Sequence, residues 1–396
     1  MLSDRIKKVQ PSATLKITAA AKKMKKEGLN VINFGAGEPD FDTPEYIKEA
    51  AINSIKKGDT KYTPASGMLE LKNVVAEKIK KELNLDYTSE NIIISVGAKH
   101  SLYNVMQAMV NPGDEVILFS PYWVSYKEQI NLASGVPVYI DTTKTNFKIN
   151  FDELESKITD RTKLILLNSP QNPTGVVYSK EDLERLAEIV LKHDNLYVIS
   201  DEIYDKLIYD GKKHFSIAQV SEEIKDRTII INGVSKTYAM TGWRIGYLAA
   251  RKEIAKAVGN LQSHSTSNPT SFCQVASITA LSEEKDEIKK MIEKFEERRN
   301  LIYSLLQDIE GIKVEKPEGA FYIFPDISAF FGKEYEGAEI KDSFTFAEVL
   351  LEKKHTAVVP GVAFGADAFI RLSFATSDDD IKEGVKRIKE FIENLK

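Results

Sequence analysis

Residues 228–250 read TIIINGVSKTYAMTGWRIGYLAA. Two apolar runs, Thr228–Ile231 and Ile245–Ala250, enclose a short polar segment with one lysine, Lys236, and one arginine, Arg244. The first run is rich in β-branched residues and ends at Asn232-Gly233, so it predicts a buried strand. Lys236 then lies just past the carboxyl end of that strand, the rim where open α/β sheets bind ligands. Desolvation there lowers a lysine's pKa, and a neutral amine can attack a carbonyl carbon. On position alone a solvated surface lysine is an equal account, and the flanking residues have to decide.

Similar strands are predicted at 91–95, 115–119, 162–168 and 196–200, alternating with helices. The helices include 12–27 (capped by Ser12 and stopped by Gly28), 44–57, 67–82 and one from Ser179 to Leu191. After Arg251 the pattern is helical over 251–262, 269–283 and 285–308. The remainder mixes short strands (321–324, 357–359, 369–374) with two helices, which suits a smaller α+β unit.

At 396 residues the chain is long enough for two domains. A hydrophobic fraction of 42% and a charged fraction of 29% are those of an ordinary globular protein. The net charge of −5 argues against a nucleic-acid partner, which would need a basic face. The densest basic run, Lys22, Lys23, Lys25 and Lys26, reads as the solvated side of a helix. A lone cysteine, Cys273, cannot form an internal disulfide, so a reducing, cytoplasmic setting is expected. The N-terminus lacks the apolar core of a secretion leader. No run of about 18 apolar residues is present, so no membrane span is expected.

Several strand ends carry chemistry. The loop 35–44, GAGEPDFDTP, has Gly35 and Gly37 but lacks the third glycine of a dinucleotide fingerprint. Val96-Gly97-Ala98-Lys99 turns a strand directly into a helix, which presents free backbone N–H groups and the positive dipole end to an anion. Trp123, near the end of strand 115–119, has either a core role or a flat face for stacking on a ring. Asn172 precedes Pro173 and is held out of helical conformation. Asp201 ends a buried strand, where a carboxylate is costly without a partner. Arg371 interrupts an apolar strand, and its planar fork suits a carboxylate.

The pattern Ser235-Lys236-x5-Gly242-Trp243-Arg244-x-Gly246-Tyr247 resembles the cofactor-lysine signature of the class I aminotransferases, which bind pyridoxal phosphate. GEPDFDTP at 37–44, PYW at 121–123, NPTG at 172–175, DEIY at 201–204 and RLSFA at 371–375 are similar to further motifs of that family. The resemblance spans essentially the whole chain. It implies an α/β protein of fold type I: a large domain (45–285) with a mostly parallel seven-stranded sheet, and a smaller α+β domain (1–44 and 286–396). It implies that Lys236 carries the cofactor as a Schiff base and moves protons in catalysis. Arg244, Ser235 and the backbone of Gly97, Ala98 and Lys99 would hold the phosphate end. Trp123 would stack on the ring, Asp201 would face its nitrogen, and Asn172 and Tyr204 would contact its phenolic oxygen. Asn172 stands after Gln171 where the family usually has a second Asn. Gly37, Lys99, Trp123, Asn172 and Arg371 would bind substrate, with Arg371 on the α-carboxylate and Lys99 on a side-chain carboxylate. Tyr62 would reach the phosphate of a neighbouring subunit, making the protein a homodimer with shared sites.

The expected reaction is ping-pong transfer of an amino group between L-aspartate and 2-oxoglutarate, with small amino and 2-oxo acids as partners and no metal. The alternatives are an aromatic, alanine-type or prephenate aminotransferase, or a carbon–sulfur lyase on the same fold. Relatives that use prephenate have a lysine where this chain has Gln10, which argues against strong prephenate turnover.

Overall fold

The computed structural model describes residues 2–7, 9, 13–283 and 285–396. Numbered along the chain, its strands are β1 (Ile32–Asn33), β2 (Ile92–Ser95), β3 (Glu115–Ser120), β4 (Val136–Asp141), β5 (Thr162–Asn168), β6 (Tyr197–Asp201) and β7 (Thr228–Gly233). They continue as β8 (Gly246–Ala249), β9 (Tyr322–Ile323), β10 (Glu334–Tyr335), β11 (Ala338–Glu339), β12 (Thr356–Ala357), β13 (Val359–Pro360) and β14 (Ile370–Ser373). Seven of them form one sheet in the order β2-β8-β7-β6-β5-β3-β4. The pairs β3–β4, β3–β5, β5–β6 and β6–β7 are parallel, while β8 runs antiparallel to both its neighbours.

Period-two alternation divides each inner strand between two cores. Val116 and Leu118 pack with Leu102, Val105, Met106 and Val258 of helices Ala98–Met109 and Lys252–Ser265. Ile117 and Phe119 face the other way, onto Leu154, Leu183, Leu186 and Val190. With helices on both faces, β3 and β7 are buried at every position, which is why they read as unbroken apolar runs. The helix Lys180–Leu191 starts as expected: Ser179 Oγ accepts from Asp182 N, and the Asp182 carboxylate accepts from Ser179 N.

Strand β4 was not among the predicted strands. It is the sheet's edge, contains Pro137 and leaves Val136 45% exposed, so it lacks the apolar run of an inner strand. The single strand expected over 357–359 is instead two. Thr356–Ala357 pairs with β1, and after Val358 the chain crosses into the antiparallel sheet β13-β14-β9. That sheet packs against helices Asp286–Gln307, Ser343–Lys354 and Asp378–Glu393 through Phe295, Phe346, Phe391 and Ile388. The helix Ala13–Lys26 ends in a turn at Gly28, with φ +88°. Ser12 and Gln10 lie outside the described residues.

Candidate active site

Strand direction gathers the site. The parallel strands β3, β5, β6 and β7 end on one rim, as does β2, and antiparallel β8 begins there. The residues just after Ser95, Ser120, Asn168, Asp201 and Gly233, and just before Gly246, therefore converge.

At one end of the rim two glycines permit a close approach. Gly97 begins the helix Ala98–Met109 with φ +83°, and a Cβ on it would lie 2.4 Å from Arg244 Nη2. A Cβ on Gly246 would lie 2.1 Å from Ala98 N. Arg244 itself adopts φ +57°, a conformation that costs a non-glycine residue energy and recurs at functional sites. Its Nη1 donates to Thr241 O at 2.8 Å. A guanidinium beside the free N–H groups of a helix start is a site for a doubly charged anion.

Lys236 occupies the middle. Its Nζ donates to Gly37 O at 2.6 Å and lies 5.7 Å from the Phe321 ring centre and 5.9 Å from that of Tyr204. Burial pulls its amine down to about 8; the charges of Arg371, Arg244 and Lys99 add to that fall, and Glu38 opposes it. The loop bearing Gly37 is tied to the segment after Lys236 by Thr241 Oγ1 donating to Glu38 and Thr43 Oγ1 donating to Ala239 O.

Asp201 is 3% exposed, and burial pushes its carboxyl up to about 6. The Tyr126 hydroxyl donates to its Oδ2 at 2.7 Å and holds the charged form against that tendency. Tyr126 also meets Trp123 edge to face, with ring centres 5.2 Å apart. Tyr204 is buried, and its hydroxyl lies 3.0 Å from that of Tyr322.

Arg371 is 2% exposed. Its Nη1 donates to Asn172 Oδ1 at 3.0 Å and its Nη2 to Gly35 O at 3.1 Å, while Nε has no partner among the described residues. Its guanidinium lies over the Tyr322 ring at 4.4 Å. With its Oδ1 taken by Arg371, the Asn172 side chain is left its amide N–H groups as donors. Its backbone N–H donates to Asn168 Oδ1 at 2.9 Å. Lys99 Nζ sits 4.7 Å over the Trp123 ring, and burial followed by the Arg244 charge lowers its pKa. A cavity of about 660 Å³ opens alongside, lined by Lys99, Tyr122, Arg244 and Ala363.

Gly37, Gly97, Ala98, Lys99, Trp123, Asn172, Asp201, Tyr204, Ser235, Lys236, Arg244 and Arg371 thus lie at or beside this rim. Tyr62 does not. It stands 92% exposed on the segment before helix Leu69–Leu83 and takes no part in these contacts. Tyr126 and Tyr322 escaped the sequence reading. Tyr126 follows Trp123 by one helical turn, a spacing that could have flagged it. Tyr322 is one aromatic among three in the stretch 321–324, and only its contacts distinguish it.

The arrangement fits pyridoxal phosphate. The glycine cradle with Arg244 matches a phosphate, the buried Asp201 calls for a cation such as a protonated ring nitrogen, and Lys236 has an amine reactive toward an aldehyde. Among the described residues no cluster of His, Cys, Asp and Glu could hold a metal ion.

A family model described as aminotransferase class I and II matches residues 30–388. An aspartate aminotransferase of Bacillus sp. (strain YM-2) is 51% identical over 393 residues, 99% of each chain. One from Bacillus subtilis (strain 168) is 50% identical over the same span, again 99% of each. Among solved structures, the aspartate aminotransferase of Rhizobium meliloti superposes with a TM-score of 0.96 at 43% identity, covering 100% of both chains. That of Thermus thermophilus with maleate gives 0.93 at 41%, covering 99% of both. Sequence, fold and the lysine-centred rim agree that this chain belongs to the class I and II aminotransferases.

Proposed function

We propose that the protein is a pyridoxal-phosphate-dependent aspartate aminotransferase, exchanging an amino group between L-aspartate and 2-oxoglutarate. The carrying observation is the charge of the cleft. Lys236 shares it with Arg371, Arg244 and Lys99, all close enough to depress its pKa, while the carboxylates Glu38 and Asp201 oppose them. Such a cleft calls for a phosphate and two carboxylates. Names and structures of relatives point the same way, including the Thermus enzyme seen with maleate, a dicarboxylate.

When bound, pyridoxal phosphate supplies an aldehyde carbon and an electron-withdrawing ring. The chain supplies the rest. Gly97, Ala98, Lys99 and Ser235 with Arg244 bind the phosphate. Asp201, its charge steadied by Tyr126, keeps the ring nitrogen protonated. Asn172 and Tyr204 address the phenolic oxygen, and Trp123 covers one ring face. Arg371 takes the substrate α-carboxylate through the N–H edge that includes its unpartnered Nε. Lys99 takes the side-chain carboxylate, and the Gly37 loop encloses the pair. Lys236 Nζ, its affinity for a proton lowered by burial, would accept the proton from the substrate Cα as general base and give it back as general acid. One water would be consumed as oxaloacetate leaves its amino group with the cofactor, and 2-oxoglutarate would then take up that group and release the water as L-glutamate forms.

The large domain in this reading is 45–285 and the small one 1–44 with 286–396. The protein is a cytoplasmic homodimer in which Tyr62 serves the neighbouring phosphate. Some relatives bear names that add prephenate to aspartate. With Gln10 in place of a lysine, oxaloacetate turnover should far exceed prephenate turnover here.

The test is the visible absorption of the purified protein. A yellow band that bleaches with L-aspartate and returns with 2-oxoglutarate supports the proposal. A band indifferent to aspartate but bleached by aromatic or small neutral amino acids would replace the substrate. A protein that stays colourless with added cofactor would overturn the reading.

A further inference from the structure

Two glutamines outside the site are fully buried, Gln262 and Gln274, both 0% exposed. Burial of a primary amide is costly unless its hydrogen bonds are made, and both are well supplied. Gln274, on helix Ser271–Ser282, accepts from Met68 N at 2.8 Å and donates to Thr63 Oγ1 at 3.1 Å and Pro269 O at 2.8 Å. Gln262, on helix Lys252–Ser265, donates to Ala65 O at 2.6 Å and to Ile94 O at 2.7 Å. Its Oε1 accepts from Ser95 Oγ at 2.8 Å and from Asn104 Nδ2 at 3.2 Å.

All of the contacts to the 63–68 segment serve one object. This irregular segment joins helix Glu45–Lys57 to helix Leu69–Leu83 and has few ladder bonds of its own. Ile94 N donates to Ser66 O at 3.0 Å, and Ser271 Oγ donates to Asp59 O. Gly67, with φ +100°, lies so close to Ile94 that a Cβ would come within 2.3 Å of Ile94 Cγ1. The segment is therefore clamped from Asp59 to Met68, and the residue it holds out, Tyr62, is 92% exposed. Two buried amides and a required glycine are an extravagant support for a surface turn. They suit an arm whose tip must stand in a set position outside its own chain. Gln262 also grips Ser95, two residues before Gly97, so one side chain ties the arm to the strand leading into the phosphate cradle.

We propose that Gln274 and Gln262 are positioning residues for the Lys61–Pro64 arm, with Gln274 acting on the neighbouring subunit's site and Gln262 linking that arm to its own chain's phosphate cradle. This rests on the shared-site homodimer above. It predicts an effect in trans, which a merely structural glutamine would not have.

The experiment uses hybrid dimers purified by two different tags, with Lys236→Ala marking one chain so that a single site forms the yellow band. In the first hybrid Gln274→Met is placed on the Lys236→Ala chain, so the live site receives the loosened arm. In the second, Gln274→Met is on the live chain, which receives an intact arm. Pyridoxal phosphate affinity at the live site, read from the band, should fall roughly tenfold in the first hybrid, as for one lost hydrogen bond to a charged group, and stay unchanged in the second. Thr63→Val, a milder change at the same contact, should reproduce the direction if Gln274→Met perturbs folding. Combined with Tyr62→Phe on the same chain, Gln274→Met should add little, because both disable one arm. Equal losses in both hybrids, a loss in the second only, or no loss in either would overturn the proposal. A wild-type protein that binds no cofactor, or sediments as a monomer, would instead overturn the proposed function and this inference with it.

Discussion

A lysine in water holds its proton to about pH 10.4, whereas Lys236 releases it at about 8, chiefly through burial. Between those values the unfolded chain binds more protons than the folded one, so folding stability of the cofactor-free protein should rise with pH across that window. Lys236→Met should reduce the rise, leaving the smaller part due to Lys99 and Lys72, as denaturant midpoints on either side of the window would reveal. Asp201 is displaced the other way, to about 6, and Tyr126 limits the displacement. Tyr126→Phe should push the carboxyl higher still. If the reaction needs the carboxylate, the acid limb of the kcat profile should then move to higher pH. An unmoved limb would separate Tyr126 from catalysis. Arg371→Lys keeps the charge but loses the fork. A loss of about 1.5–3 kcal/mol for one charged hydrogen bond corresponds to roughly 10–150-fold in kcat/KM for aspartate.

At the scale of elements, the phosphate cradle depends on how tightly two strand ends and a helix start can meet. Gly97→Ala adds a methyl 2.4 Å from Arg244 Nη2 at a backbone angle that disfavours any Cβ. The guanidinium must then leave. Pyridoxal phosphate should bind at least tenfold more weakly by absorbance titration, with the sheet intact by circular dichroism. Gly246→Ala is harsher, since its obstacle is the backbone of Ala98 at 2.1 Å, and it should lower the yield of folded protein. The cradle's helix was legible because a strand ran through glycine into an apolar period of three to four. Edge strand β4 was not, since an exposed edge carrying Pro137 has neither of the patterns that mark a strand. The break at Val358 was equally hidden: only the positions of β1 and β14 determine which sheet each half joins.

Across the whole molecule, the long helix Asp286–Gln307 binds the two proposed domains by charge as well as by its apolar face. Arg299, 0% exposed, makes two bonds of 2.9 Å to the Asp210 carboxylate and one of 2.7 Å to Pro317 O. Arg298, by contrast, joins Asp40 at 2.8 Å and Asp378 at 3.4 Å, all within the proposed small domain, and so ties its two chain segments together. Arg299 is buried but Asp210 is 41% exposed, so the loss falls below the about 3–5 kcal/mol of a fully buried pair. Arg299→Ala should lower stability by about 1.5–3 kcal/mol in denaturant melts, the loss expected for hydrogen bonds to a charged group, and Arg298→Ala, whose partners Asp40 and Asp378 are about as exposed as Asp210, should cost a similar amount.

The sequence alone determined which strands run unbroken through the core, that a glycine carries one strand into a helix start, that Lys236 and Asp201 stand at strand ends and that Arg371 interrupts a strand. Local pattern carries such information, because burial and backbone freedom leave their mark on neighbouring residues. Only the tertiary structure decided which groups stabilise those residues. Tyr126 meets Asp201 from 75 positions away, Arg371 meets Asn172 from 199, and Gln262 meets Ala65 from 197. No periodicity links such positions; the direction and order of the strands bring them together.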